Sequence, residues 1–423
     1  MTGVFAPEVS LVPLTRRPLR LPELTVQAVL SSPLPVQSVA RQPPHSSIII
    51  VTHNNLVFTR FCLATVVANR PPDSAYEIVV VDNGSSDRTV EFLRNLSERE
   101  PGLRLLLNTT NRGFAPAVNQ GLGLARGDVL VLLNNDTLVP PGWLAGLAHH
   151  LTEPSVGLVG PLTNSAGNEA QIEVPYETFG GFEQFAADRA RTAAGLRFDI
   201  PMLTMFCLAM RRDTYERLGP LDERFAVGMF EDDDYSRRAR QADYAVVCAE
   251  DVFVHHFGQA SFGRLVSSGE YATLFDANRS RFDQKWGGTW EPHRRRLSPA
   301  YRGLVERIRR VVDATLPRRA TVMVVSRGDD GLLELGGERR GWHFPRLADG
   351  TYAGYYPEDS TAAITHMEEL RTAGADHLLF PSTSLWWLEH YPGLRHYLDE
   401  RYPNVVTDQE TCSIYDLRRK PAA

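Results

Sequence analysis

The sequence predicts an α/β protein: a doubly wound, mainly parallel sheet followed by a small C-terminal α/β domain. Three observations carry this expectation. Short runs of β-branched residues and leucine, at Ile48 to Val51, Ile78 to Val81, Leu103 to Leu107 and Val129 to Leu133, alternate with helical stretches. Continuous apolar strands of this kind are buried on both faces, as parallel strands are. Each run ends in polar turn residues, and a second strand–helix alternation begins near Ala320.

Residues 1–45 are rich in proline and lack periodicity, so they read as an extended N-terminal arm. The first strand ends in Thr52-His53-Asn54 and is followed by a helix to about Ala68. The second ends in Asp82-Asn83-Gly84 before a helix that includes Thr89 to Leu93. The third precedes Asn111-Arg112-Gly113 and a helix from Pro116 to Arg126. The fourth ends in Asn134-Asn135-Asp136. Beyond residue 160, Met202 to Arg211 reads as a strand, Asp213 to Leu218 and Asp234 to Gln241 as helices, and Ala245 to His255 as strands. The stretch 266–317 is expected to be a helical, arginine-rich connector. In the domain at 318–423, strands are expected at Thr321 to Val325, His377 to Phe380 and Ser413 to Leu417, with helices at Ala362 to Ala373 and Leu385 to Tyr402. Trp386, Trp387 and Tyr391, at helical spacing, read as core.

Composition narrows the function. The chain has 423 residues, 43% hydrophobic and 23% charged, with a net charge of −6, which argues against a protein that coats nucleic acid. Lys285 and Lys420 are the only lysines and neither follows glycine, so no P-loop is present. Gly121, Gly123 and Gly127 suggest a dinucleotide fingerprint, but they lie in a helix that precedes a strand, the wrong order; close helix packing fits better. The four cysteines form no CxxC pair and read as core thiols of a reducing compartment. No signal peptide or apolar run of membrane-spanning length is seen. A cytoplasmic protein is expected, and any work at the inner face of a membrane would need peripheral attachment. The arginines at 294–296 and 307–310 read as a solvated helix face.

Polar endings on four successive strands point to a ligand site, because open α/β sheets bind ligands outside the carboxyl ends of their strands. The strand-one ending, Val79 to Asp87, Asn111 to Ala115 with Asn119, and Leu132 to Thr137 resemble the motifs of family 2 glycosyltransferases of the GT-A fold. More narrowly they are similar to the rhamnosyltransferase-like branch that builds bacterial surface polysaccharide. Gly219 to Phe225, Phe230 to Asp234, and His255 to Gly258 with Ser261 extend the likeness over about residues 46–265.

The resemblance implies an inverting transfer of sugar from a UDP- or dTDP-linked donor to a glycan, lipid-linked or other hydroxyl acceptor. It puts Thr52, Asn54, Asp82, Asn111, Arg112, Gly113, Asn134 and Asn135 on the donor side, with Asp82 accepting a hydrogen bond from the nucleobase. Glu231 and Asp222 fall on the acceptor side. Asn134-Asn135-Asp136 stands where the family carries its metal-binding Asp-x-Asp. Asp136 is therefore the one carboxylate left for Mg²⁺ or Mn²⁺, with His256 as a further ligand. His255 and His256 point to opposite faces of a strand, so only one of them reaches a metal. By resemblance Asp232 is the base that deprotonates the acceptor, and carboxylates clustered at 231–234 can raise one another's pKa toward working pH. The rival reading is a catalytically inactive nucleotide- or carbohydrate-binding scaffold, suggested by Asn134 and the appended domain.

Overall fold

A computed structural model describes residues 8–11, 19–22, 45–69, 76–100, 102–225, 228–258, 270–293, 299–326, 328–353, 356–357 and 359–418. The described residues up to 293 form one compact unit and those from 299 onward a second. Within the stretch expected to be an arm, β1 (Glu8–Leu11) and β2 (Leu19–Pro22) pair antiparallel. The rest of that stretch up to residue 44, Ser261 and the arginines at 294–296 lie outside the described residues.

In the first unit, β3 (Ser46–Thr52), β4 (Tyr76–Asn83), β5 (Leu103–Asn108) and β6 (Val129–Asn134) are parallel and lie in the order β5-β4-β3-β6. After the two-residue β7 (Thr137–Leu138) the sheet continues through β8 (Val156–Leu162), β9 (Arg197–Asp199), β10 (Cys207–Arg211) and β11 (Ala245–Phe253), in the spatial order β6-β10-β8-β11-β9. Strands β10 and β9 run antiparallel to their neighbours, so the sheet is mixed on this side.

Alternate residues of the strands face two separate cores, which is what sandwiching a sheet between helices requires. Ile48, Ile50, Val80 and Leu133 meet α1 (Leu56–Ala68), α2 (Thr89–Ser97) and α4 (Trp143–His150). Ile49, Val79 and Leu132 meet α3 (Phe114–Leu124), α5 (Phe179–Thr192) and α7 (Glu231–Gln241), the last preceded by the short α6 (Arg212–Leu218).

Three sequence expectations change. The strand expected from Met202 begins at Cys207. Met202, Leu203, Met205 and Phe206 are buried without being extended, and their apolar run mimics a strand. Helix α7 starts at Glu231 rather than Asp234, because Met229 (φ 78°) and Phe230 (φ 74°) turn the chain left-handed just before it. All four acids of 231–234 thus fill a first helical turn, where the helix dipole favours them. The expected connector at 266–317 is divided: α8 (Glu270–Trp286) belongs to the first unit and α9 (Pro299–Thr315) to the second.

After the ribbon strand β12 (His255–His256), the second unit has a five-stranded sheet. Its strands are β13 (Thr321–Val324), β14 (Arg340–His343), β15 (His377–Pro381), β16 (Asn404–Asp408) and β17 (Cys412–Asp416), in the order β14-β13-β15-β17-β16. Helix α9 covers one face through Leu304, Ile308 and Val312. Helices α10 (Ser360–Thr372), α11 (Trp387–His390) and α12 (Pro392–Arg401) cover the other. The single helix expected at Leu385 to Tyr402 is broken at Pro392, which has no N–H to continue the turn and instead opens α12. Trp387 and Tyr391 are core residues.

Candidate active site

The loops after β3, β4, β5 and β6 lie side by side because these strands are parallel neighbours. Asn83, at the end of β4, ties its own loop to the one after β5. Its Oδ1 accepts the Arg112 N–H (3.0 Å) and Asn108 Nδ2 (3.1 Å), and its Nδ2 donates to Asn111 Oδ1 (2.9 Å) and the Gly113 carbonyl (3.0 Å). Next to it, Gly84 (φ +79°) admits no side chain: a Cβ would lie 2.5 Å from the Thr110 carbonyl carbon. Asn54 holds the facing turn, its Oδ1 accepting the N–H of Ser86 at 2.7 Å and of Asp87 at 3.3 Å. Asn54 and Asn111 therefore build the loops, while Arg112 is exposed at their surface.

Thr52 and Asn135, expected to line the donor pocket, turn inward instead. Asn135 Nδ2 donates to Thr52 Oγ1 (3.2 Å) and Thr59 Oγ1 (2.9 Å), and the two hydroxyls lie 2.9 Å apart. These groups complete one another beneath the site. Asp82 is fully buried. Its Oδ2 accepts the Ser85 N–H at 3.0 Å, and its Oδ1 has no hydrogen-bond partner. A buried carboxylate oxygen without a donor is costly and suits an incoming N–H.

A two-stranded ribbon of β7 and β12 brings Asp136 to His256. Oδ1 of Asp136 is 3.2 Å from Nε2 of His256. The other imidazole nitrogen, Nδ1, lies 2.8 Å from the Ser165 carbonyl, so it carries the proton in the neutral ring and leaves Nε2 a lone pair. The ring stacks on Phe206 at 4.9 Å. Asn164 brackets the His256 backbone on both its N–H and C=O. Ligands of an octahedral Mg²⁺ or Mn²⁺ at about 2.1 Å stand about 3 Å apart, so the pair fits one edge of such a site. Among the described residues no cluster of three or more such side chains forms. Asn134 is half-buried and its carbonyl accepts the Thr137 hydroxyl. His255 points away, with Nδ1 2.7 Å from the Tyr176 hydroxyl.

The four acids of the α7 turn have different fates. Asp234 is buried; it accepts the Trp286 Nε1–H at 3.0 Å and forms ion pairs with Lys285 (Nζ at 2.5 Å) and Arg238 (Nε at 3.1 Å). Asp233 Oδ1 receives Trp290 Nε1 (2.8 Å) and His293 Nε2 (2.6 Å). Glu231 is buried with an orphan Oε2; burial, then the charge of Asp232, holds its pKa well above the usual carboxylate range. Asp232 is half-buried and, among the described residues, takes its hydrogen bonds from backbone N–H groups alone. Burial, then the neighbouring Asp233 charge, pushes its pKa up to about 7. Asp222, expected on the acceptor side, is an anchor: it binds Arg224 and, at 2.6 Å, Lys285. The Arg224 hydrogen bonds, joined by Lys285, keep its pKa well below the usual range. Sequence reasoning missed Lys285, Trp286, Trp290 and His293, all in or just after α8; a lone lysine beside tryptophan was the one available signal.

Residues 47–219 match the family described as Glycosyl transferase family 2. This segment is a family 2 glycosyltransferase domain. The acidic turn at 231–234 and His256 of the Asp136–His256 pair lie beyond the matched residues. The glycosyltransferase AglE of Haloferax volcanii is 29% identical over 227 residues, covering 53% of this chain and 70% of that protein. The O-antigen biosynthesis protein RfbC of Myxococcus xanthus is 28% identical over 283 residues, covering 63% of this chain but 22% of that protein. Among solved structures, GalNAc-T7 with UDP, GalNAc and Mn²⁺ aligns with a TM-score of 0.42 at 17% identity, over 51% of this chain and 43% of that one.

The second unit contains a Ser–His–Asp line. Ser326 Oγ is 2.6 Å from His343 Nδ1, and His343 Nε2 is 3.1 Å from Asp330 Oδ1. Ser326 is buried while the Asp330 side chain is 89% exposed, so the hydroxyl is the innermost group. A nucleophile needs the reverse order, and the line reads as a structural network.

Proposed function

We propose that the chain transfers a sugar, with inversion, from a UDP- or dTDP-linked donor to a hydroxyl of a glycan, lipid-linked or other acceptor in surface-polysaccharide or glycoconjugate assembly. The observation that carries this reading is the isolation of Asp232. Its neighbours Asp233 and Asp234 are tied to side chains of the α8 segment, and among the described residues Asp232 is left with backbone partners only. A general base needs a carboxylate with accessible lone pairs and a pKa near working pH. In the reaction the acceptor oxygen attacks the anomeric carbon as its bond to the diphosphate breaks, and the hydroxyl proton passes to Asp232. Asp82 binds the base through its orphan oxygen. Asp136 and His256 would hold Mg²⁺ or Mn²⁺, whose charge would offset that of the departing diphosphate.

All four cysteines are buried and free, in keeping with a reducing cytoplasmic setting, and no helix among the described residues is long and apolar enough to cross a membrane. Contact with the inner face of the membrane would be peripheral.

The test is thermal stabilisation by UDP-, dTDP- and GDP-sugars with and without Mn²⁺, since a ligand that binds only the folded state stabilises it by mass action. Stabilisation by UDP- or dTDP-sugars that depends on Mn²⁺ supports the reading. Preference for GDP-sugars overturns the donor assignment. Binding without turnover for any acceptor favours the inactive scaffold.

A further inference from the structure

We propose that His293, from the segment following α8, is a positioning residue for Asp232: together with Trp290 it fixes Asp233 through one carboxylate oxygen and balances its charge, leaving Asp232 as the carboxylate presented for proton transfer. This rests on the reading of Asp232 as base.

Asp232 and Asp233 are consecutive in a helix, so their side chains leave the axis about 100° apart. Two unpaired neighbouring carboxylates would compete for one proton and titrate as a pair. The structure separates them. Both N–H donors converge on Asp233 Oδ1, Trp290 at 2.8 Å and His293 at 2.6 Å. Trp290 is itself held against Phe230 and Phe275, with ring centroids 5.2 and 5.6 Å away. The clamp therefore stands on the apolar cluster that anchors α8 beside the acidic turn.

Among the described residues, His293 faces three carboxylates. Asp233 and Asp232 face it from α7, and Glu169 faces it from the loop after β8. Glu169 Oε2 is buried and has no hydrogen-bond partner. Burial alone would lower the His293 pKa, but the hydrogen bond to Asp233 and the charges of Asp233, Asp232 and Glu169 outweigh it and raise it. On Asp232 the His293 charge acts in the opposite sense to Asp233, favouring the ionised form.

Two measurements on the full chain test this. The first needs no substrate: ¹³C-labelled histidine is followed by NMR over pH, with His293 assigned by its loss in His293→Gln. The expected result is a His293 resonance that titrates above the ordinary imidazole range and carries a second inflection near neutrality, lost in Asp232→Asn. Asp233→Asn should lower the His293 midpoint. A His293 midpoint unmoved by Asp233→Asn, or no inflection from Asp232, overturns the proposal.

The second is UDP release from a UDP-sugar across about pH 5.5–9. His293→Ala should lower turnover at least about tenfold and move the acid limb to higher pH, because Asp232 loses a nearby cation. His293→Gln, which keeps an N–H for Asp233, should recover part of the rate but not the limb. Binding of UDP with Mn²⁺ should be unchanged in both variants. Wild-type rate and limb in His293→Ala overturn the proposal. Absence of turnover by the wild type, with the NMR coupling intact, counts against the glycosyltransferase reading and still supports the coupling of His293 to Asp232.

Discussion

Nε2 of His256 lies 3.2 Å from Oδ1 of Asp136 across the ribbon that joins the end of β6 to the end of β11. With Asn134 neutral, these two side chains are the ligands the ribbon would supply in the proposed metal site. His256→Ala and Asp136→Asn should each weaken UDP binding in the presence of Mn²⁺ by about 10–100-fold, while leaving metal-free UDP binding nearly unchanged. Calorimetric titration with and without Mn²⁺ checks this; equal losses in both conditions would mean the pair acts on the fold and not on a cation.

Asp232→Asn keeps the shape of the side chain and removes its basicity. Turnover should fall by about 10²–10⁴-fold with UDP affinity retained. In the wild type the acid limb follows from the raised pKa of about 7: the base is ionised above that value and protonated below it, so turnover falls as pH drops through neutrality. A rate that is flat between about pH 6 and 8 would rule out Asp232 as the group that limits the reaction.

Asp234→Asn should cost stability. Asp234 is fully buried among Lys285, Trp286 and Arg238, and breaking a buried pair from one side costs about 3 kcal/mol. Urea unfolding measures this. An unchanged midpoint would show that Asp222, the second partner of Lys285, is a sufficient anchor alone.

Glu231 gives a pH-dependent forecast with a definite sign. Its folded-state pKa is raised by burial, so its protonated form is the one the fold favours. The stability tied to it is complete below the unfolded-state value and is lost as pH rises toward the folded one. Glu231→Gln, a mimic of the protonated acid, should raise stability at about pH 8 and change little at about pH 4. Denaturation at both pH values decides it, and destabilisation at pH 8 would refute the assignment.

The glycines of α3 predict a contrast. A Cβ at Gly121 would collide with the Ile49 side chain, whereas at Gly123 it would meet open space. Gly121→Ala should cost about 1–3 kcal/mol through overpacking, and Gly123→Ala should stabilise by about 0.5–1 kcal/mol through helix propensity. Thermal unfolding of the two variants separates them.

The strand ends were legible because buried parallel strands leave unbroken apolar runs, and polar residues at their ends stand out against them. Asp136 and His256 were legible as a pair only through resemblance, since 120 positions of chain separate them and the ribbon that joins them is two residues long on each side. Thr52 and Asn135 misled for a physical reason: a polar side chain at a strand end can face the ligand or its own scaffold, and nothing local says which. The anchoring of Asp222 was not legible because its partner Lys285 comes from a helix 63 residues later. The exposed strand β16 was invisible because its Asn404–Asp408 segment shows no buried alternation. The start of α7 depended on left-handed Met229 and Phe230, residue types from which positive φ is not anticipated.

The side chain of Asn83 precedes a glycine, the sequence context in which asparagine most readily cyclises and loses its amide. That reaction needs the Gly84 nitrogen to reach the side-chain carbonyl carbon. In the folded chain the amide is pinned by four hydrogen bonds to the end of β5 and the loop that follows it, which hold the carbon in place. Folding thus acts as a preservative. A chain left unfolded ages at this position to aspartate or isoaspartate, either of which replaces the two donated bonds by a charge facing the Asn111 oxygen and the Gly113 carbonyl. Prolonged storage under partly denaturing conditions would then yield material that cannot rebuild these loops on return to native buffer.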